Sequence, residues 1–283
     1  MVFVTILILW AVASTQALPR QRAPTFEVQN GVLVRSGRIS TNIGRVVGGE
    51  NAVPHSAPHK VSLQWGTIRP AHFCAGIIIQ TNWVLTAGHC VQDYPANGIS
   101  TVVAGLHDLS TFQGVEQIRH VTLDDMWTHE DFDGFQGPHD IGLILIRTPF
   151  VFDALVNAIA LPAADTIPTG VGRIHGWGST AYGFFPVFPD ILQTAELVIV
   201  PLESCRNDWP WPGPISETHI CAGSTAASAC MLDDGGALVQ NDVAVALVSW
   251  GTVPCGLNDR PAVFTRISAY ISWIDSVIDN AQT

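Results

Sequence analysis

Short apolar runs separated by turn residues dominate the chain. Lys60-Val-Ser-Leu-Gln-Trp65, Gly76-Ile-Ile-Ile-Gln80, Trp83-Val-Leu-Thr86, Ile141-Gly-Leu-Ile-Leu-Ile146 and Val243-Ala-Val-Ala-Leu-Val248 are strand-prone and alternate with Gly, Pro, Asn and Asp turns. That texture predicts an all-β sandwich or barrel. One segment departs from it. Ile267, Tyr270, Ile271, Ile274 and Ile278 recur on one face at helical spacing, which predicts a C-terminal helix docked on the β structure. No supersecondary repeat of fixed period is evident.

The two ends of the first 45 residues read differently from this body. Residues 1–17 run apolar from Val2 through Ile6, Leu7 and Ile8 to Val12 and close on Thr15-Gln-Ala17, the pattern of a cleaved secretory signal. A membrane anchor needs roughly 20 apolar residues, and Leu18-Pro19-Arg20 interrupts too early for that. Residues 18–45 hold no cysteine, few aromatics, and scattered Arg, Pro, Gly and Ser, as expected of an extended, protease-sensitive leader. From Val46 the strand-rich texture begins and continues to residue 283.

Composition narrows the setting. With 47% hydrophobic residues in 283 positions the chain can fill a sizeable core. Six cysteines behind a secretory signal predict three disulfides in an oxidising, extracellular location, without choosing among the pairings. The formal net charge is −11, and five of the arginines lie before residue 46 against one acid, Glu27, so the body of the chain is strongly acidic. Nucleic acid and anionic membranes are excluded as natural partners of such a surface. Neither a histidine cluster of ligand spacing nor a calcium-type acidic loop stands out, so no metal or other cofactor is expected.

The chemistry-bearing residues fall in a definite order. Arg45-Val-Val-Gly-Gly49 offers a cleavage site; Thr86-Ala-Gly-His-Cys90 fixes a histidine beside a half-cystine; His139-Asp140-Ile-Gly-Leu places an acid at the head of an apolar strand. Cys230-Met-Leu-Asp-Asp-Gly-Gly236 and Ser249-Trp250-Gly251 follow. In this order the chain resembles the chymotrypsin-like serine proteases over residues 46–278. The resemblance implies two six-stranded Greek-key β-barrels packed face to face with a C-terminal helix, in one peptidase domain, 46–283. It also implies the pairings Cys74–Cys90, Cys205–Cys221 and Cys230–Cys255.

In that family a serine hydroxyl attacks the peptide carbonyl, a histidine takes its proton, and a buried aspartate orients the imidazole. His89 and Asp140 match the histidine and the aspartate, but the nucleophile position holds Asp234. A carboxylate is a weaker acyl nucleophile, and it brings negative charge to where substrate oxygen must become negative. Loss of the nucleophile costs roughly 10⁶-fold in turnover in a related system. Leu232 stands where the family has the oxyanion-hole glycine, and a branched side chain disfavours the positive φ required there. One such donor is worth roughly 10²–10³ in rate. His89, flanked by Asp140 and Asp234, is expected to be held largely as imidazolium.

Cutting after Arg45 is expected to free a Val46 ammonium for Asp233, with His72 in the position of the histidine that holds this aspartate before cleavage in trypsin-like zymogens. The implied specificity pocket has Ser228 at its base, Ser249, Trp250 and Gly251 along one wall and Ala262 on another. Without an acid at the base it suits a medium apolar or aromatic side chain rather than Lys or Arg. Together these residues point to a secreted, monomeric protease homologue that binds a peptide, protease, inhibitor or glycan and does not cleave. The competing reading is a digestive endopeptidase of weak or altered activity, since a bare domain behind an Arg-terminated leader is the architecture of gut proteases.

Overall fold

The structure, a computed structural model, describes residues 26–29, 32–35, 48–66, 70–94, 98–134, 137–181, 185–209 and 215–281. These belong to two units, 1–41 and 42–283. In the first, β1 (Phe26–Gln29) and β2 (Val32–Arg35) pair antiparallel, with Phe26 opposite Arg35. The expected secretory signal lies outside the described residues.

The second unit carries strands at the five apolar runs, 60–65, 76–80, 83–86, 141–146 and 243–248, and further strands that those runs do not mark. In chain order they are β3 (Glu50–Asn51), β4 (Lys60–Gly66), β5 (Ala71–Gln80), β6 (Trp83–Thr86), β7 (Ile99–Ala104), β8 (Gln117–Val121), β9 (Met126–Thr128) and β10 (Gly142–Leu145). There follow β11 (Gly170–Gly176), β12 (Gln193–Val200), β13 (His219–Ala222), β14 (Ala237–Gln240), β15 (Val243–Trp250) and β16 (Ala262–Arg266). Among the described residues three α-helices accompany them: α1 (Gly88–Gln92), α2 (Leu202–Asp208) and α3 (Ile271–Ala281).

Both sheets are antiparallel and share one topology. The first has the order β8-β7-β4-β5-β6-β10-β9, so β7 returns beside β4 after the β4-β5-β6 meander. The second has the order β11-β14-β15-β16-β13-β12-β3, and a β11–β12 ladder closes six of its strands into a ring. Within that ring β14 returns beside β11 after β11-β12-β13. Each is the Greek-key arrangement, a fourth strand folding back next to the first. The short β3 and β9 are additions at the sheet edges to the six strands expected per barrel.

Burial explains why the sequence takes this form. In β12 the side chains of Gln193, Ala195, Leu197 and Ile199 are buried, while Glu196 and Val198 between them are exposed, the period of two that a half-buried strand imposes. Each sheet encloses its own core: Val61, Leu63, Ile78, Val102 and Ile144 in the first, Ile174, Leu197, Leu238, Val248 and Phe264 in the second. A third apolar layer packs the sheets face to face, with Ile77, Trp83, Leu85 and Leu143 meeting Leu247, Ile267, Ile274 and Ile278. Burying each such side chain contributes about 1.5–3 kcal/mol. The C-terminal helix begins at Ile271 after a 3₁₀ turn at Ile267–Ala269, and it turns Ile274 and Ile278 inward. The three implied disulfides, Cys74–Cys90, Cys205–Cys221 and Cys230–Cys255, are all formed. No helix among the described residues is long and apolar enough to cross a membrane.

Candidate active site

The His89 side of the site is built where the two sheets meet. Strand β6 ends at Thr86, whose hydroxyl donates to the Ala75 carbonyl at 2.7 Å, and the chain turns at once into α1. Gly88 is needed in that turn, because a Cβ there would lie 2.9 Å from the Thr128 methyl and 3.0 Å from the Ile141 nitrogen. His89 follows, anchored by the Cys90–Cys74 bridge. Asp140, fully buried, accepts the His89 backbone N–H at 2.8 Å, the His89 Nδ1–H at 2.9 Å and the Ser249 hydroxyl at 2.5 Å. Its carbonyl accepts the Thr265 hydroxyl at 2.8 Å. Histidine comes from the first sheet's side, while Ser249 and Thr265 come from β15 and β16 of the second.

Asp140 fixes the ring orientation, since its carboxylate oxygen accepts the proton that Nδ1 carries. Burial works against an imidazolium at His89. The Asp140 hydrogen bond and charge, then the charges of Asp234 and Asp93, outweigh it and hold the His89 pKa up at about 9.

The opposite side of the site is altered. Leu232 sits at φ +75°, the left-handed region, and its backbone N–H donates to the Asp234 carboxylate, Oδ2, at 3.1 Å. Leu232 therefore adopts the glycine-like backbone its side chain disfavours, at a cost of about 1–2 kcal/mol. Two bonds hold it there: the Asp234 carboxylate on its N–H, and His72 Nε2–H donating to its carbonyl at 3.0 Å. His72 in turn meets the Ser62 hydroxyl with Nδ1 at 2.8 Å. Asp234 is pinned by its own carbonyl, which accepts the Ala75 N–H at 2.8 Å. Gly235, at φ +77°, cannot be replaced, because a Cβ would stand 2.2 Å from the Thr86 hydroxyl. Burial, opposed by His89 and reinforced by Asp233, pushes the Asp234 carboxyl up to about 6.

His89, Leu232 and Asp234 share a cavity of about 370 Å³ with Ser249, Trp250, Gly251 and Ala262. The Ala262 methyl faces Gly251, within 3.6 Å of where a Cβ on that glycine would lie. Ser228, expected at the base, does not line this cavity. It is buried beside it, with its hydroxyl donated to the Ala229 carbonyl at 2.9 Å.

Asp233, adjacent to the site, is buried and accepts the Gly178 N–H at 2.9 Å and the Cys230 N–H at 3.0 Å. His72, expected to hold Asp233, instead holds Leu232. Arg45 and Val46 lie outside the described residues. Among the described residues, the group of potential metal ligands close enough to share an ion is Cys74, His89 and Cys90. Its two cysteines are joined to each other, so neither offers a thiolate.

Sequence reading missed three partners. Ser249 was expected as pocket wall, yet its hydroxyl serves Asp140. Thr265 carried no signal, and the burial of Lys60 at the head of an apparently amphipathic strand was not visible. Spacing alone reveals none of them, because each contact joins elements far apart in the chain.

The Trypsin family model matches residues 46–274 of this chain. A protein named Lectizyme, from Glossina austeni, is 38% identical over 253 residues, a stretch that covers 84% of this chain and 88% of that protein.

Proposed function

This chain belongs to the trypsin family, and from that premise we propose that it is a secreted homologue that binds a peptide or protein ligand without cleaving it. One contact carries the reading: the Leu232 N–H, which would have to receive a developing oxyanion, already donates to the Asp234 carboxylate. Acyl transfer needs a strong nucleophile whose acyl adduct water can open, and donors free to meet new negative charge. The Asp234 carboxylate is a weak nucleophile, its attack would form a high-energy anhydride, and it occupies the Leu232 N–H. His89 at a pKa of about 9 is an imidazolium at pH 7 and is a poor general base. Arg45, Val46 and Asp233 retain the activation pattern, and the three formed disulfides agree with an oxidising, extracellular setting. A ligand side chain suited to the cavity is apolar, since the residues lining it beyond Asp234 and His89 present no charge.

The test compares the native protein with the Asp234→Ser/Leu232→Gly double variant on peptides bearing aromatic, aliphatic or basic residues before the scissile bond. A silent native protein and a variant that cleaves after apolar residues support binding on an intact scaffold. Native turnover that is lost in His89→Ala supports a weak digestive endopeptidase and overturns the proposal.

A further inference from the structure

Lys60 is the one lysine of the chain, and it is buried to 4% exposure at the first position of β4. Its Nζ makes no hydrogen bond among the described residues. A buried ammonium in that condition is costly unless an opposite charge stands near. Two features show what surrounds it. The Trp177 ring lies 5.6 Å from Nζ, and a Cβ at Gly236 would come within 2.9 Å of Nζ, so the absence of a side chain at 236 leaves the ammonium its space. Gly236 closes the turn that begins at Asp233, donating its N–H to the Asp233 carbonyl at 2.9 Å.

Asp233 is the matching anomaly. Its carboxylate is buried and satisfied by backbone N–H groups alone, and among the described residues no cation lies within ion-pair distance of it. The carboxylate also fixes its neighbours: a Cβ at Gly176 or Gly178 would fall 1.7 or 2.3 Å from its oxygens. The other titratable groups facing Lys60 are His59, His72 and His175. Burial first, then the Lys60 charge, holds His59 down at about 4 and His175 at about 3. Burial holds His72 at about 4 as well, against its hydrogen bond to Leu232. All three are neutral at pH 7. Burial pushes the Asp233 carboxyl upward, and the Lys60 charge, then the Cys230 and Gly178 N–H groups, oppose that rise; Asp234 is the second acid beside it. Burial lowers the Lys60 pKa to about 8 while Asp233 pulls it upward.

The segment downstream of the Arg45 cut is also already seated. Gly48, at φ +83°, packs so closely on the Ala226 carbonyl that a Cβ would meet it at 1.6 Å, and β3 is paired with β12.

We propose that Lys60 is a positioning residue: its ammonium is the internal counter-charge of Asp233, so the Leu232–Gly236 loop holds its conformation whether or not the chain is cut after Arg45. The family pattern reserves Asp233 for an ammonium made by cleavage. Here a cation carried on β4 stands against the turn that bears the same carboxylate, its Nζ 2.9 Å from where a Gly236 Cβ would lie, and a second ammonium entering beside it meets repulsion. The inference is independent of whether the site hydrolyses anything.

The experiment is a cycle of four proteins: the full chain made resistant by Arg45→Gln and the chain cut after Arg45, each with Lys60 or with Lys60→Met. Thermal midpoints are compared at pH 7. In the native pair the cut is expected to move the midpoint little. In the Lys60→Met pair the uncut form is expected to fall by about 10 °C, and cutting is expected to recover much of it because the Val46 ammonium replaces the missing charge. Lys60→Met/Asp233→Asn is expected to be more stable uncut than Lys60→Met alone. Equal stabilisation by the cut in both pairs, or an uncut Lys60→Met as stable as the native chain, would overturn the proposal. Should Lys60→Met fail to fold uncut, ¹⁵N-lysine labelling of the native chain gives a single side-chain signal. Asp233→Asn is expected to lower the pKa read from it, and an unchanged value would count against the pairing.

Discussion

The two sides of one cleft differ in how their polar groups are arranged. On the Asp140 side buried polar groups converge: His89, Ser249 and Thr265 meet a single aspartate from both sheets. On the Leu232 side the backbone keeps a left-handed turn suited to glycine while its N–H is taken by the carboxylate two residues on. The Asp140 side is also structural, since it ties the sheets together. The Leu232–Asp234 turn is local, so its two side chains can change without disturbing either core.

Breaking the Asp140 side is expected to give the largest effect. Asp140→Ala removes the acceptor of three buried donors and the main support of the His89 charge, and it is expected to cost about 3–5 kcal/mol of stability at pH 7; denaturant titration checks this. A loss below 1 kcal/mol would mean that the Asp140 network does not hold the sheets together.

An intermediate effect is expected in the charge of His89, where the two sides meet. Its folded pKa, about 9, lies above the unfolded value near 6.5, so its contribution to stability is complete below pH 6.5 and is lost as the pH rises through 9. Proton NMR of the ring should show a pKa well above 6.5 in the native protein. In Asp234→Asn it should fall but stay raised, because Asp140 contributes more than Asp234. A native value at or below 6.5 would separate His89 from both carboxylates.

The smallest effect is expected from the altered side. Leu232→Gly relieves the positive φ and should raise stability by up to about 1 kcal/mol, the relief being partly offset by the greater freedom of glycine in the unfolded chain. Equilibrium unfolding at pH 7 measures it, and a clear loss would show that the leucine side chain has acquired packing of its own.

Much of this fold was legible before the structure. The apolar runs at 60–65, 83–86 and 243–248 became β4, β6 and β15, and the isoleucine spacing near the C-terminus became α3 with its 3₁₀ lead-in. Periodicity reports which face is buried, and these segments have a face to bury. The motif order brought His89, Asp140 and Asp234 to one cleft, whereas Arg45 and Val46 fall outside the described residues. What remained hidden depends on side-chain direction and on contacts across sheets. The χ angles that turn the Asp234 carboxylate onto the Leu232 N–H, the reach of Ser249 to Asp140, and the room left for Lys60 Nζ by Gly236 leave no trace in spacing.

Hydrolysis of an apolar-residue peptide by the native protein, cut after Arg45 and followed beside His89→Ala at equal concentration, tests the central claim most directly. The expected result is that the two rates coincide at the uncatalysed background. Native turnover that exceeds the His89→Ala rate would show that Asp234 and His89 perform chemistry together, and the binding-only assignment would be wrong.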